Sequence, residues 1–164
     1  MNKIAVVCDT SLLLYLGRIH KAELLTSLYE RVYVPKQVVS ELDAGRLLRG
    51  DTIDPRQISG ISIISVSQKK IDALPPKHLG IGEKSVISYT LNNKEYLAGI
   101  DDHVARVLAE QLGIKVIGII GILLKAKNKG FVSQINPLLK AVRIQGFHIA
   151  EDLYEEALCL AGER

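Results

Sequence analysis

Hydrophobic and polar positions along the chain alternate between two periods. Residues 3–8 are a nearly unbroken apolar, β-branched run, which suits a strand covered on both faces. Asp9, Thr10 and Ser11 follow, each able to cap a helix over 12–16 that Gly17 and Arg18 interrupt. Leu24, Leu25 and Leu28 fall on one face of a helix expected over 21–31. A short strand at 32–34 stops at Pro35, which opens a helix carrying Val38, Val39 and Leu42 toward the core and stopping at Gly45. Residues 46–60 have no sustained period and read as a surface connection, with 61–66 a strand or sheet edge and 74–76 a turn. Beyond them the pattern predicts a helix over 82–92, a strand over 96–100 and a helix over 101–112. A strand at 115–117 leads into a helix reaching Lys127, and further helices cover 137–144 and 151–161. Short apolar strands alternating with helices of about three turns predict βαβ units and an α/β fold with a mainly parallel sheet. No repeat or composition shift divides the chain. The expectation is one domain over 1–164, with the helices of about 133–164 packing on it or extending it.

Composition narrows this picture. A length of 164 residues suits a single domain, and 48% hydrophobic residues supply a sizeable core. With 5% aromatic residues and no Trp, that core is aliphatic. Two cysteines cannot build a disulfide framework, so a reducing, cytoplasmic setting is expected. The apolar run at 116–124 is too short to cross a membrane, and Asp9 comes too early for a signal peptide. The net charge of +3 names no partner, but its distribution is uneven. Residues 111–150 contain no Asp or Glu, whereas Lys115, Lys125, Lys127, Lys129, Lys140 and Arg143 all fall there. Such a stretch either forms a basic face for polyanions or simply coats the solvent side of helices.

Ligands of open parallel sheets bind beyond the carboxyl ends of the strands. Two expected strands end there on acids, at Asp9 and at Asp101-Asp102. Each acid has a structural reading. Asp9 can be an N-cap, Asp102 can pair with Arg106 four residues on, Glu83 can favour the start of its helix, and Glu41 can face solvent. Taken together, Asp9, Glu41, Glu83, Asp101 and Asp102 form a constellation of strand-end and core-edge carboxylates. Carboxylates held close cannot all ionise without a cation, and oxygen-only ligands select Mg²⁺ or Mn²⁺. Such an ion activates water and stabilises charge on a phosphate. The chain has no phosphate-binding loop, dinucleotide fingerprint or nucleophile elbow, and its four histidines show no metal spacing with cysteine.

The ordered set of residues 6–11 (Val-Val-Cys-Asp-Thr-Ser), Glu41 within 38–42, Gly82-Glu83, and Ile100-Asp101-Asp102 resembles the PIN domain family. The segments 116–118, 121–127 with Gly130, and Gly146-Phe147-His148-Ile149 are similar to a prokaryotic PIN-like subgroup. The resemblance implies a three-layer α/β/α domain and a Mg²⁺- or Mn²⁺-dependent ribonuclease like the toxins of toxin–antitoxin pairs. It implies that Asp9, Glu83, Asp101 and Asp102 hold the metal and that Glu41 completes the catalytic set. Ser11 then matches a hydroxyl that hydrogen-bonds one of the acids. It further implies a homodimer and, for a toxin, a small antitoxin partner. Two positions depart from the subgroup: Ser85 stands where a second Glu is common, and Ile119 where Thr is common.

The expectation is therefore a metal-dependent endoribonuclease, with Lys125, Lys127 and Lys129 tracking the phosphate backbone and Tyr15 or Tyr89 available for stacking. A non-catalytic nucleic-acid-binding module and a phosphohydrolase of small phosphate esters are the alternatives.

Overall fold

The computed structural model describes residues 4–50, 53–75 and 78–164. Strand β1 (Val6–Cys8) is fully buried, as expected of a strand with apolar side chains on both faces. It pairs in parallel on one side with β2 (Val32–Pro35), which pairs in parallel with β3 (Ile61–Ile64). On its other side lies β4 (Leu97–Gly99), followed by β5 (Val116–Ile117). The order β3-β2-β1-β4-β5 makes β1 the central strand, with Val6 opposite both Val32 and Leu97 and Cys8 opposite Gly99.

The chain builds outward from β1 to β2 and β3, then returns to the other side for β4 and β5. The direction of winding thus reverses between β1 and β4, and the crevice of such a switch point opens at the carboxyl ends of those two strands. The residues that follow them are Asp9 and 100–102.

Helices α1 (Thr10–Arg18) and α2 (Glu23–Leu28) link β1 to β2, and α3 (Lys36–Arg49) links β2 to β3. Helices α4 (Gln68–Asp72) and α5 (Ile81–Leu91) lead to β4, and α6 (His103–Gln111) leads to β5. Helices α7 (Ile119–Asn128), α8 (Asn136–Ile144) and α9 (Glu151–Leu160) complete the chain. Helix α5 packs against α3, α4 and α6, while α7 packs against α2 and α9, and α1 touches both α3 and α8. The two helical layers enclose the sheet in a three-layer α/β/α arrangement. Helices α7 to α9 share the same core through Ile122, Leu139, Val142, Tyr154 and Leu158.

The structure corrects several boundaries. Helix α1 runs through Gly17, whose bare α-carbon admits Ile53; a Cβ there would lie 2.9 Å from that side chain. Helix α3 passes Gly45 and ends at Gly50, whose φ of +73° provides the left-handed turn that glycine adopts at least cost. Helix α2 is shorter than expected, and Tyr29 beyond it is already extended. The single turn α4 is too short to leave a period in the sequence. Of the expected turn at 74–76, Pro76 lies outside the described residues, as does Lys3 of the first expected strand.

Burial separates two isoleucines of the C-terminal half: Ile122 is fully enclosed and Ile144 is 82% exposed. Ile122→Ala should lower the unfolding free energy by about 2–5 kcal/mol in urea titrations. Ile144→Ala should change it by about 0.5 kcal/mol or less.

Candidate active site

Every strand in this sheet points the same way, so the helices entered from β1, β2, β4 and β5 present their first turns at one edge. An N-terminal turn offers N–H groups with no partner inside the helix and a partial positive charge. Asp9, Asp102 and Asp101 take such a group from α1, α6 and α7, and Glu41 and Glu83 take one from the start of α5, which follows α4.

Asp9 caps α1, its Oδ1 accepting from the Leu12 N–H at 2.9 Å. It is 1% exposed, and its Oδ2 is buried with no hydrogen-bond partner. A cap and a free carboxylate oxygen thus coexist in one residue. Burial pushes the Asp9 carboxyl well above the usual range; the Leu12 N–H opposes this, and the charges of Asp101, Glu83 and Glu41 reinforce it.

Glu41 turns inward from α3. Its Oε2 accepts from the Thr10 hydroxyl at 3.0 Å and its Oε1 from the Gly82 N–H at 2.5 Å, the first turn of α5. Gly82 leaves room for both groups, since a Cβ would come within 2.4 Å of Glu41 Oε1 and 2.9 Å of Thr10 Oγ1 and displace them. Glu83 accepts from the Gly80 N–H at 3.1 Å. Its carboxyl is raised first by burial and then by Asp102, with the Gly80 N–H opposing and Glu41 adding to the rise.

Asp101 and Asp102 both precede α6 and part company there. Asp102 caps that helix through the Ala105 N–H at 2.9 Å. Asp101 crosses to α7, where both its oxygens receive the Ile119 N–H, at 3.0 and 3.3 Å. Gly118 leaves room for it: a Cβ would lie 2.4 Å from Asp101 Oδ1 and 2.7 Å from Arg106 Nη1. The expected pairing of Arg106 with Asp102 is thereby corrected, since the charge of Arg106 acts on Asp101. Burial raises Asp101 to about 6, against the pull of the Ile119 N–H and Arg106.

The hydroxyl that supports an acid is that of Thr10, one residue before Ser11. Ser85 is fully buried and donates to the Gly82 carbonyl at 2.6 Å, so this position faces the protein interior. Position 119 serves Asp101 through its backbone, which Ile supplies as well as Thr. Thr10, Gly82, Gly118 and Arg106 were not singled out for the site. Their traces in the sequence are Thr10 within 6–11, Gly82 as the partner of Glu83, Gly118 within 116–118, and Arg106 four residues after Asp102.

The lysines do not join the acids. Helix α7 begins at Ile119, held by Asp101, and carries Lys125 and Lys127 in its last turn with Lys129 just beyond. Lys125 lies 5.2 Å from the ring centroid of Tyr29, which precedes the amino end of β2, and Lys127 pairs with Glu163 at 2.9 Å. Tyr89 belongs to a cluster with Tyr33 and Tyr96, whereas Tyr15 packs edge-on against Phe147, ring centroids 5.0 Å apart.

Among the described residues, no three Asp, Glu, His or Cys side chains stand close enough to hold a metal ion as they are placed. The donor set nevertheless suits a hard cation. It is all oxygen, and it includes a buried carboxylate oxygen without a partner in a field of like charges.

Fold and site together describe an α/β/α domain of the nuclease-like kind, with carboxylates gathered at the switch point of a parallel sheet. A PIN domain family model matches residues 5–163, and the chain belongs to the PIN domain family, whose members are generally nucleases that use divalent metals. No curated protein matches the chain. No helix among the described residues is long and apolar enough to cross a membrane.

An acid raised by folding stabilises the native state below its unfolded pKa, near 4, and loses that contribution as pH rises through the folded value. For Asp101 the window is from roughly 4 to about 6. In metal-free buffer the protein should therefore be less stable at pH 7.5 than at pH 5. Asp101→Asn, which keeps an acceptor for Ile119, should reduce that difference by about 1 kcal/mol in paired urea titrations, because only the upper half of the window lies above pH 5.

Proposed function

We propose that the protein is a metal-dependent endoribonuclease. The observation that carries this reading is the buried, unpartnered Oδ2 of Asp9 facing the charges of Asp101, Glu83 and Glu41. Asp9, Glu83, Asp101 and Asp102 are the residues that would hold Mg²⁺ or Mn²⁺. When bound, the cation supplies a Lewis acid that activates water and neutralises a scissile phosphodiester.

The chain's own groups have separate tasks. Glu41, locked by Thr10 and Gly82, positions the first turn of α5 and with it Glu83. Glu83 is partly exposed, and burial and the charge of Asp102 raise its carboxyl above the usual range, which a bound cation would offset. Asp101 fixes the start of α7 and keeps Arg106 beside the site, where its guanidinium can meet a phosphate. Lys125, Lys127 and Lys129 lie about 10–17 Å along α7 from Gly118 at 1.5 Å per residue, so they would contact phosphates several nucleotides away. The same reading includes a homodimer and, for a toxin, a small antitoxin partner.

The absence, among the described residues, of three acids close enough for a metal favours a second reading. In it the domain is a non-catalytic RNA-binding module whose acids serve as helix caps alone.

Cleavage of a mixed RNA panel separates the two. With Mn²⁺ the wild type should cut internal phosphodiesters, EDTA should stop it, and Asp9→Asn should reduce it to background. Thr10→Val should lower the rate by about 10- to 100-fold, with Thr10→Ser restoring it. RNA that is bound but never cut, with Asp9→Asn indifferent, would establish the second reading instead.

A further inference from the structure

The segment Gly146-Phe147-His148-Ile149 has no part in the acid cluster, yet the fold brings it beside Asp101. Between α6, β5, the outer side of α7 and this segment runs a furrow of about 480 Å³. Asp101, Arg106, Gly118, Phe147, His148 and Leu153 are among the residues that line it. The furrow is therefore continuous with the candidate active site.

Its chemistry is divided. The walls are mainly aliphatic, and Phe147 is the one aromatic side chain among the residues that line it. That ring is partly exposed and held edge-on by Tyr15, with the guanidinium of Arg18 5.4 Å from the tyrosine centroid. A braced, half-exposed ring presents a stacking surface with little conformational freedom left to lose. The charged head of Arg106 stands beside Gly118 and Asp101, and the exposed His148 imidazole also lines the furrow. A flat apolar-faced group fits Phe147 and the aliphatic lining, and an anion can pair with the Arg106 guanidinium beside Asp101, which together describe a nucleotide. The size suits one, since pockets for such ligands hold about 300–1,000 Å³. Only an unpaired base offers its face to a side chain, so the strand is single. Leu124 at the far end also borders a depression lined by Lys127, Asn128 and Leu160, which extends the path along α7.

We propose that this furrow seats the nucleotide next to the scissile phosphate of a single-stranded RNA, its base stacked on Phe147. The proposal rests on the ribonuclease reading for the word scissile, while base-dependent binding stands apart from turnover.

Fluorescence anisotropy of a labelled single-stranded RNA decamer, measured in EDTA so that nothing is cut, tests it. The wild type should bind the decamer and bind an abasic decamer more weakly. Phe147→Ala should weaken binding to the normal decamer by about 10-fold and leave the abasic decamer unaffected, with Phe147→Tyr restoring affinity. Phe147→Leu, which retains an apolar contact for Tyr15, should lose affinity in the same way and serves where the alanine variant does not fold. Undetectable binding by the wild type, equal binding of both decamers, or unchanged affinity in the folded Phe147 variants would overturn the proposal. Cleavage with Mn²⁺ that persists while those variants bind normally sinks the furrow and spares the nuclease. Base-dependent binding without any cleavage does the reverse.

Discussion

The bond between a carboxylate and the first-turn N–H of a helix is the interaction on which this protein's architecture and chemistry both depend. It recurs at Asp9 with α1, at Glu41 and Glu83 with the start of α5, at Asp102 with α6 and at Asp101 with α7. An all-parallel sheet collects helix N-termini at one edge, and those termini would otherwise leave donors unpaired. Their partial positive charge also offsets part of the repulsion among the acids. The acids proposed for the site are consequently the same residues that hold the helix starts. A carboxylate has two oxygens, and at Asp9 one caps α1 while the other is buried without a hydrogen-bond partner.

This arrangement trades folding stability for a concentrated negative site. Asp9, Glu83 and Asp101 are all raised by burial, so ionising them opposes folding at neutral pH. Two glycines make the crowding possible. Gly82 lets Glu41 and Thr10 close on the start of α5, and Gly118 lets Asp101 and Arg106 meet over the start of α7. At both positions a side chain would occupy space already taken by a polar group of the site.

The two ends of the sheet differ in character. The carboxyl end carries acids, Arg106 and the furrow with Phe147. Toward the other end lie Lys125 against Tyr29 and the cluster of Tyr33, Tyr89 and Tyr96. A charge map drawn along the sequence joins Lys125, Lys127 and Lys129 to the site because they follow Asp101 closely. Helix α7 separates them, since each residue moves the chain about 1.5 Å further from the edge.

Much of the fold was legible in the sequence, because burial on both faces imposes continuous apolar strands and helices impose their own period. Asp9 and the pair at 101–102 stood out for the same reason, as charges placed where a buried strand ends. Other features escaped. Gly17 and Gly45 read as breaks, yet α1 and α3 continue through them because Ile53 packs on one and Gly50 supplies the stop for the other. Whether Glu41 faced water or α5, and whether Thr10 or Ser11 supplied the supporting hydroxyl, depended on how α3 packs against α5. By itself the sequence determined the α/β class, the aliphatic core and which carboxylates stand at strand ends, since these follow from local periodicity and composition. Tertiary structure alone decided which helix each acid holds, that the lysines lie apart, and that Phe147 borders the site. Those are relations between residues distant in the chain, and only packing across the sheet brings them together.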